Sequence, residues 1–576
     1  CIHLFVALGT QALGVFTYTV VFSIHVGISL ICIGVIFKHR AVFTERLRAL
    51  RTFFVTRYVW DKPTKHSLVF VTAVFILLIG FIYFLRFNYT GTVDTVFGVQ
   101  KVQYSSYTYP MYSDEWIGSA LVSYSIREKA LPLVNPINAN DPFINFLMAT
   151  HALFAEVILV LSLDPLTQYV HLADIQMILI TIVLYLIQRR LGVGYVVSAV
   201  CSFLVVLITQ SGNLPGVWYA LPFSVSLVFL LYGILGYLIK SRYVLFIHTA
   251  VSLVLYPPII VFAFPVILGI SAGKKMIFGR GVFTFLRVAL LSLVGIGIVF
   301  MFSLADFHMV QLWQRAVNFA VRNSLDYGSV TYPIWNILPV FTLPFLLVGL
   351  YVTYKDKILA LWYPVVTGIV FWIIYLYTQK VFIIEHSRVV MITSIFLLIV
   401  VGLGVQKSID YIQTKKNIVV SLRNSTIVKI LVYIALVSVT ILSISFQQWF
   451  RLSMRIQTPM GDYLLVPSPS VTRYITDSDI KIFSSYKNAR FVSHPWKGLV
   501  IGSATQNIPL ESKSSTLTNK LLRYEFFMKA SCDGKKRLID KYNIDLVYST
   551  KIECPKYLEL VERSSEGLVL YRPIRK

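Results

Sequence analysis

Two adjacent acids, Asp114 and Glu115, stand in the stretch Tyr109-Pro110-Met111-Tyr112-Ser113-Asp114-Glu115-Trp116. A helix-forming run to Lys129 follows, and then Leu131-Pro132-Leu133-Val134-Asn135-Pro136. Acids at the start of a helix face the positive end of its dipole, and Ser113 or Asp114 is placed to cap the free N–H groups there. The same position suits chemistry. A carboxylate held just outside a membrane span can take the proton of an acceptor hydroxyl during a displacement, an effect of about 10²–10⁴-fold. Of two adjacent acids, one takes the proton and the other orients the acceptor or a cation.

A second polar group lies further along. Lys380, Glu385, His386 and Arg388 sit between two apolar runs, and Arg315, Asn318, Arg322 and Asn323 fall in the segment 305–333. An arginine beside a span commonly snorkels to lipid headgroups. An arginine fork also makes paired, permanently charged contacts to a phosphate, which gives Arg388 first place as a phosphate ligand, with His386, Arg322 and Arg315 as its neighbours. His248 and Tyr256 lie within or at the end of an apolar run and read as polar residues of a helical core. The 5 cysteines follow no zinc-ligand or CxxC spacing, so no metal site is read from them.

The elements that must hold these residues are membrane spans. Apolar residues make up 56% of the chain and mean hydropathy is +0.71. Charged residues reach only 14%, against about 25% in soluble domains. Lys and Arg number 52 against 27 acids, a formal net charge of +25. In an apolar chain such an excess marks cytoplasmic loops and not nucleic-acid binding. With about 20 apolar residues needed per span, the basic clusters at 38–65, 189–190, 240–242, 274–287, 355–357 and 407–429 set a consistent topology of about 11–13 transmembrane helices. The first cysteine begins an apolar run with no charged segment before it, which reads as a clipped span and not a signal peptide.

Three regions follow. Residues 1–66 hold a first span at 14–37 and a basic cytoplasmic loop. Residues 67–446 form the transmembrane core, with a large external loop at 88–168. Residues 447–576 read as an external α/β domain. Within the loop, 143–163 is apolar enough to span, but a span there would turn Arg189 and Arg190 outward, so it is expected to lie at the interface, where His151 and Glu156 are tolerated. The segments 243–256 and 258–270 are short, and Tyr256-Pro257-Pro258 breaks the helix between them, giving either a hairpin or a kinked re-entrant pair. In the tail, 481–484, 490–493, 544–548 and 568–571 read as strands and 517–529 and 535–542 as helices.

An acidic pair after an outward span, many spans and an external C-terminal domain together resemble the GT-C fold of polyprenyl-phosphate-sugar-dependent glycosyltransferases, among them protein O-mannosyltransferases, aminoarabinose transferases and oligosaccharyltransferases. The resemblance covers the layout from about Ser67 onward. It implies Asp114 as catalytic base with Glu115 beside it, and Arg388 on the donor phosphate. The implied partners are a polyprenyl-phosphate sugar, a lipid, glycan or protein acceptor and the membrane, with no nucleic acid, and the implied location is the plasma membrane. It leaves room for a divalent cation, Mg or Mn, and fixes no other cofactor. The oligosaccharyltransferase Trp-Trp-Asp-Tyr-Gly motif is absent from the tail, and the extra span at 14–37 departs from the pattern. A transporter or lipid flippase and a polysaccharide polymerase are the rival readings. Against a transporter stand the acids clustered at one surface and the long external tail. Cys532 and Cys554, the only cysteines of the tail, are expected to form a disulfide in an oxidising compartment.

Overall fold

The computed structural model describes residues 2–38, 65–87, 89–105, 107–133, 136–137, 145, 147–208, 217–273, 321–323, 342–378, 380–414, 456–458, 461–463, 471, 474–512 and 522–574. The expected spans at 288–304 and 430–446, and Arg315, lie outside these residues. Two described helices are long and apolar enough to cross a membrane, Val170–Arg190 and Arg388–Tyr411, and the other apolar helical stretches are shorter.

The expected first span at 14–37 is helix α2 (Tyr18–Lys38), and a separate helix, α1 (Ile2–Ala12), precedes it. Between them Gly14 takes φ 69°, a left-handed conformation that side-chain-bearing residues seldom adopt. After α3 (Lys65–Phe87) the chain forms a hairpin, β1 (Tyr89–Thr95) and β2 (Gly98–Ser105), then α4 (Ser113–Glu128) and α5 (Met148–Val160). The 13 residues of α5 extend only about 20 Å, short of the ~30 Å needed to cross. Its polar residues face protein rather than headgroups. Both His151 and Glu156 are buried against protein groups: Asn145 contacts the His151 ring at 3.1 Å, and one oxygen of Glu156 meets His3 and His25.

The central bundle comprises α6 (Val170–Arg190), α7 (Tyr195–Phe203), α8 (Pro222–Leu238), α9 (Arg242–Leu255), α10 (Ile260–Gly273), α11 (Leu343–Lys355), α12 (Leu359–Thr378) and α13 (His386–Thr414). A short strand β3 (Val321–Asn323) pairs antiparallel with β4 (Lys380–Phe382), just before α13. Helix α13 is the most enclosed, with Val389–Met391, Ile395, Phe396 and Leu398–Val400 all under 3% exposed. Gly349 lets α11 close directly on it, since a Cβ there would lie 2.0 Å from the Val400 carbonyl. Pro257 and Pro258 end α9 in a 3-10 turn before α10. The pair is not a tight hairpin: α9 packs chiefly on α8, and α10 on α12.

The tail builds a five-stranded mixed sheet in the order β10-β11-β9-β7-β8, from β7 (Arg490–Ser493), β8 (Ile508–Pro509), β9 (Leu546–Ser549), β10 (Leu558–Arg563) and β11 (Val569–Pro573). A separate hairpin, β5 (Ile456–Thr458) with β6 (Gly461–Tyr463), precedes it. Residues 481–484 are not a strand but the end of α14 (Asp477–Ser484). Thr476 and Asp479 exchange side-chain and backbone hydrogen bonds of 3.1 and 2.9 Å, a capping box that starts the helix and outweighs the strand-like alternation of Ile480-Lys481-Ile482. Helices α15 (Pro495–Thr505) and α17 (Cys532–Tyr542) cover the sheet, and of the expected helix 517–529 the described part is a single turn, α16 (Leu522–Tyr524), running into a π turn. The tail core includes Trp116 and Ala120 of α4, packed with Ile482, Phe483 and Val500, so the sheet domain seats the helix that carries the acidic pair.

Cys532 and Cys554 are joined in a disulfide with a Cα–Cα distance of 5.5 Å, across 22 positions of sequence. Closing a loop of this size restricts the unfolded chain by about 3 kcal/mol. Cys554→Ser is therefore expected to lower the stability of the tail by about that amount in thermal unfolding of the purified chain. Alkylation without reductant is expected to leave both cysteines unmodified.

Candidate active site

Glu115 builds the ground on which Asp114 stands. Its carboxylate is fully buried: Oε2 accepts from the N–H groups of Met111 and Tyr112 at 3.0 and 3.2 Å, and Oε1 from that of Ala220 at 2.7 Å. The first two bonds cap α4, whose N-cap residue is Tyr112, so the capping expected of Ser113 or Asp114 falls to Glu115. The third ties α4 to the chain entering α8. Tyr169 seals the junction, its ring pressed against Gly118 so closely that a Cβ there would lie 2.3 Å from its hydroxyl. Glu115→Gln replaces a three-fold acceptor with a group that has one oxygen and one NH₂, turning a donor toward an N–H. Charge-assisted hydrogen bonds contribute about 1.5–3 kcal/mol each. We expect a fall in melting temperature with only a few-fold fall in turnover. A turnover loss as deep as that of an Asp114 variant, at unchanged melting temperature, would instead make Glu115 the proton acceptor.

With Glu115 consumed in this way, Asp114 is free to face the bundle, and what it faces is Arg388. The Arg388 Nη2 lies 3.7 Å from Asp114 Oδ2, and its Nε lies 3.2 Å from Glu385 Oε2. Nη1 donates to the Tyr256 hydroxyl at 2.8 Å. The guanidinium lies over the rings of Phe223 and Tyr256, at 5.3 and 5.6 Å from their centroids. The Arg388 side chain is 14% exposed, whereas those of Asp114 and Glu385 are 39% and 38% exposed. A headgroup-snorkelling arginine would point its charge to solvent. This one is held by Asp114 of α4, Phe223 of α8, Tyr256 at the break after α9 and Glu385 before α13, with one face closed by aromatic rings and the carboxylates on the open side.

Each holding group comes from a legible local cause. Tyr256 is presented by the break at Pro257-Pro258, and Phe223 follows the Pro222 that opens α8. Glu385 precedes α13, and its carbonyl accepts from the N–H groups of Arg388 and Val389 in the first turn. Tyr112, stacked on Tyr219 with ring centroids 5.1 Å apart, lines the same place. Burial, and then the Asp114 charge, hold its phenol well above the usual range, so it is a neutral hydroxyl there.

The remaining sequence candidates separate. His386 turns to the side of α12, its ring stacked on Tyr375 with centroids 3.9 Å apart. Burial pushes it down to about 4, and neither ring nitrogen has a hydrogen-bond partner among the described residues, so near neutral pH it contributes no cation. The backbone of Arg322 is opposite Val381 in the β3–β4 pair, which brings that strand to the approach of α13. His248 belongs to the α8–α9 packing, stacked on Phe229 and Tyr232 with Nδ1 2.9 Å from the Val244 carbonyl. Glu385 was legible in the sequence as part of the polar cluster, while Tyr112 and Phe223 carry no signal beyond aromatic type.

A divalent cation does not fit the Asp114 and Glu385 carboxylates as they stand, because the guanidinium already lies against both. A hard cation such as Mg²⁺ takes about six oxygen ligands, and no third metal-ligand side chain joins these two among the described residues.

No family model matches the chain, and no curated protein does. Among solved structures, it is similar to ArnT from Cupriavidus metallidurans in the apo state, with TM-score 0.49 and 11% identity over 87% of this chain and 98% of that one. It is also similar to the oligosaccharyltransferase of Archaeoglobus fulgidus tethered with an acceptor peptide, with TM-score 0.47 and 12% identity over 88% and 74% of the two chains. A further likeness is to the same archaeal enzyme, AglB, in complex with an inhibitory peptide and a dolichol-phosphate, with TM-score 0.45 and 14% identity over 89% and 75%. These neighbours are GT-C fold glycosyltransferases, the class the sequence resembles. The likenesses are distant, and what the site does is read from its own geometry.

Proposed function

We propose that the chain is a membrane glycosyltransferase that moves a sugar from a polyprenyl phosphate to an acceptor at the outer face of the plasma membrane, with inversion. The observation that carries this reading is the pairing of a part-exposed carboxylate, Asp114, with a desolvated, aromatic-backed guanidinium, Arg388, 3.7 Å apart at one end of an apolar helix long enough to span a membrane. In the reaction the acceptor hydroxyl gives its proton to Asp114 while its oxygen bonds to the anomeric carbon. The bond from that carbon to the phosphate oxygen breaks, and its electron pair leaves with the phosphate. Negative charge grows on the leaving phosphate, so paired N–H donors from Arg388 bind it more tightly in the transition state than in the ground state. As the guanidinium turns to the phosphate it leaves Asp114, which is then an unpaired base.

Charge arithmetic supports further cations around the donor. Asp114, Glu385 and Arg388 together carry one net negative charge, and a sugar phosphodiester brings another. Arg322, carried by the strand beside β4, and Arg315 are the basic residues proposed to balance it. No step in this scheme uses a metal. The acceptor class, whether lipid, glycan or protein, is decided by surfaces beyond Asp114.

The test is incubation of the purified full chain with polyprenyl-phosphate sugars labelled in the sugar, together with membrane extracts as acceptors. The expected result is label in an acceptor and stoichiometric free polyprenyl phosphate. Donor that crosses a vesicle membrane intact, with no cleavage, would make the protein a flippase.

A further inference from the structure

Outside this site, one cluster of metal-ligand side chains gathers among the described residues: His3 of α1, His25 of α2 and Glu156 of α5. The three come from three helices and are brought together by packing. Leu4, Val6, Phe16 and Val21 of the N-terminal pair close on Ala149, Leu153 and Phe154 of α5, and Gln11 donates to the Ala152 carbonyl at 3.1 Å. His3 Nδ1 lies 2.8 Å from Glu156 Oε1, and His25 Nε2 meets that same oxygen. The two imidazole rings lie with centroids 4.4 Å apart.

Hydrogen bonding alone satisfies this arrangement poorly. Two ring nitrogens crowd one carboxylate oxygen, while Oε2 of the fully buried Glu156 has no hydrogen-bond partner among the described residues. An ionised carboxylate has about four acceptor positions and is costly to bury half-answered. A cation between the three groups removes the difficulty. All three ligand atoms lie within 4.8 Å of one another, the range around the ligand separations of about 3.3 Å that tetrahedral Zn²⁺ with bonds of about 2.0–2.1 Å needs. Two imidazoles and one carboxylate form a borderline donor set that favours Zn²⁺ over the oxygen-seeking Mg²⁺, Mn²⁺ or Ca²⁺.

We propose that His3, His25 and Glu156 bind one Zn²⁺ ion that clamps α1 and α2 onto α5. The His3 side chain is 58% exposed, and the three protein ligands leave the fourth position of a tetrahedral ion open. The site is separate from the Asp114–Arg388 pair and does not depend on the transfer reaction. Its bearing on that reaction is positional, since α5 packs against α4, which carries Asp114.

The test uses untagged full chain in detergent, stripped with chelator and titrated with Co²⁺ and then Zn²⁺. The expected result is one Co²⁺ per chain with the strong visible absorption of a four-coordinate ion, displaced by Zn²⁺ and not by Mg²⁺. His25→Ala removes a direct ligand and is expected to weaken binding beyond the about 10–100-fold typical of losing an outer-shell partner. His3→Ala, at a largely exposed position, gives the same direction without threatening the fold, and His248→Ala leaves binding unchanged. Zn²⁺ is expected to raise the melting temperature of the wild type and not of His3→Ala. No saturable binding by the wild type, or binding unchanged in both His3→Ala and His25→Ala, would overturn the proposal and leave the triad as a hydrogen-bonded ion pair.

Discussion

Asp114→Asn is expected to lower turnover by about 10²–10⁴-fold, the range over which a positioned base acts. The amide keeps the size and shape of the carboxylate and cannot take a proton. Because Glu115, not Asp114, holds the helix start, the variant is expected to fold and melt like the wild type. Donor binding is also expected to survive, and to tighten slightly, because Arg388 loses a competing partner at 3.7 Å. That combination of lost turnover with retained or improved donor affinity is specific to a base that is paired with the phosphate ligand at rest. Wild-type turnover in Asp114→Asn would remove the proposed mechanism.

Arg388→Lys keeps the charge and loses the planar fork, and it separates a phosphate clamp from a merely cationic site. An ammonium cannot at once donate to Tyr256, face two carboxylates and lie flat over Phe223. We expect turnover to fall about 10²–10³-fold, comparable to removing one preorganised donor from a site of developing negative charge. Arg388→Ala is expected to lose donor affinity as well. Lys407→Ala, which removes a half-exposed surface partner of Asp410, serves as the control and should change neither. Since Asp114 and Arg388 touch, their effects should be non-additive, the double variant falling little further than the worse single one.

Much of this was legible in the sequence, for identifiable reasons. Asp114 and Arg388, far apart in the sequence, both stand where apolar runs stop, and the positive-inside pattern puts those points on one side. Tyr256 was marked by the two prolines after it. What was not legible depended on partners far away in sequence. The structural role of Glu115 needs the Ala220 N–H, 105 positions on, and without it the two acids look interchangeable. His386 reads as a neighbour of Arg388, but one helical step turns its ring to Tyr375 instead. Within the tail, Ile480-Lys481-Ile482-Phe483 alternates like a strand, and only the reciprocal bonds of Thr476 and Asp479 decide for a helix. Glu156 looked suited to an interface, because nothing local announces His3 and His25 as its partners.

The central claim is that Asp114 and Arg388 form one glycosyl-transfer centre. Its most direct measurement is the rate at which purified full chain releases free polyprenyl phosphate from a polyprenyl-phosphate sugar, compared among wild type, Asp114→Asn and Arg388→Ala in the same detergent. The expected result is acceptor-dependent release by the wild type, loss of release in both variants, and donor affinity retained only in Asp114→Asn. Equal release by all three proteins, or none by the wild type with any acceptor fraction while the intact donor still binds, would contradict it.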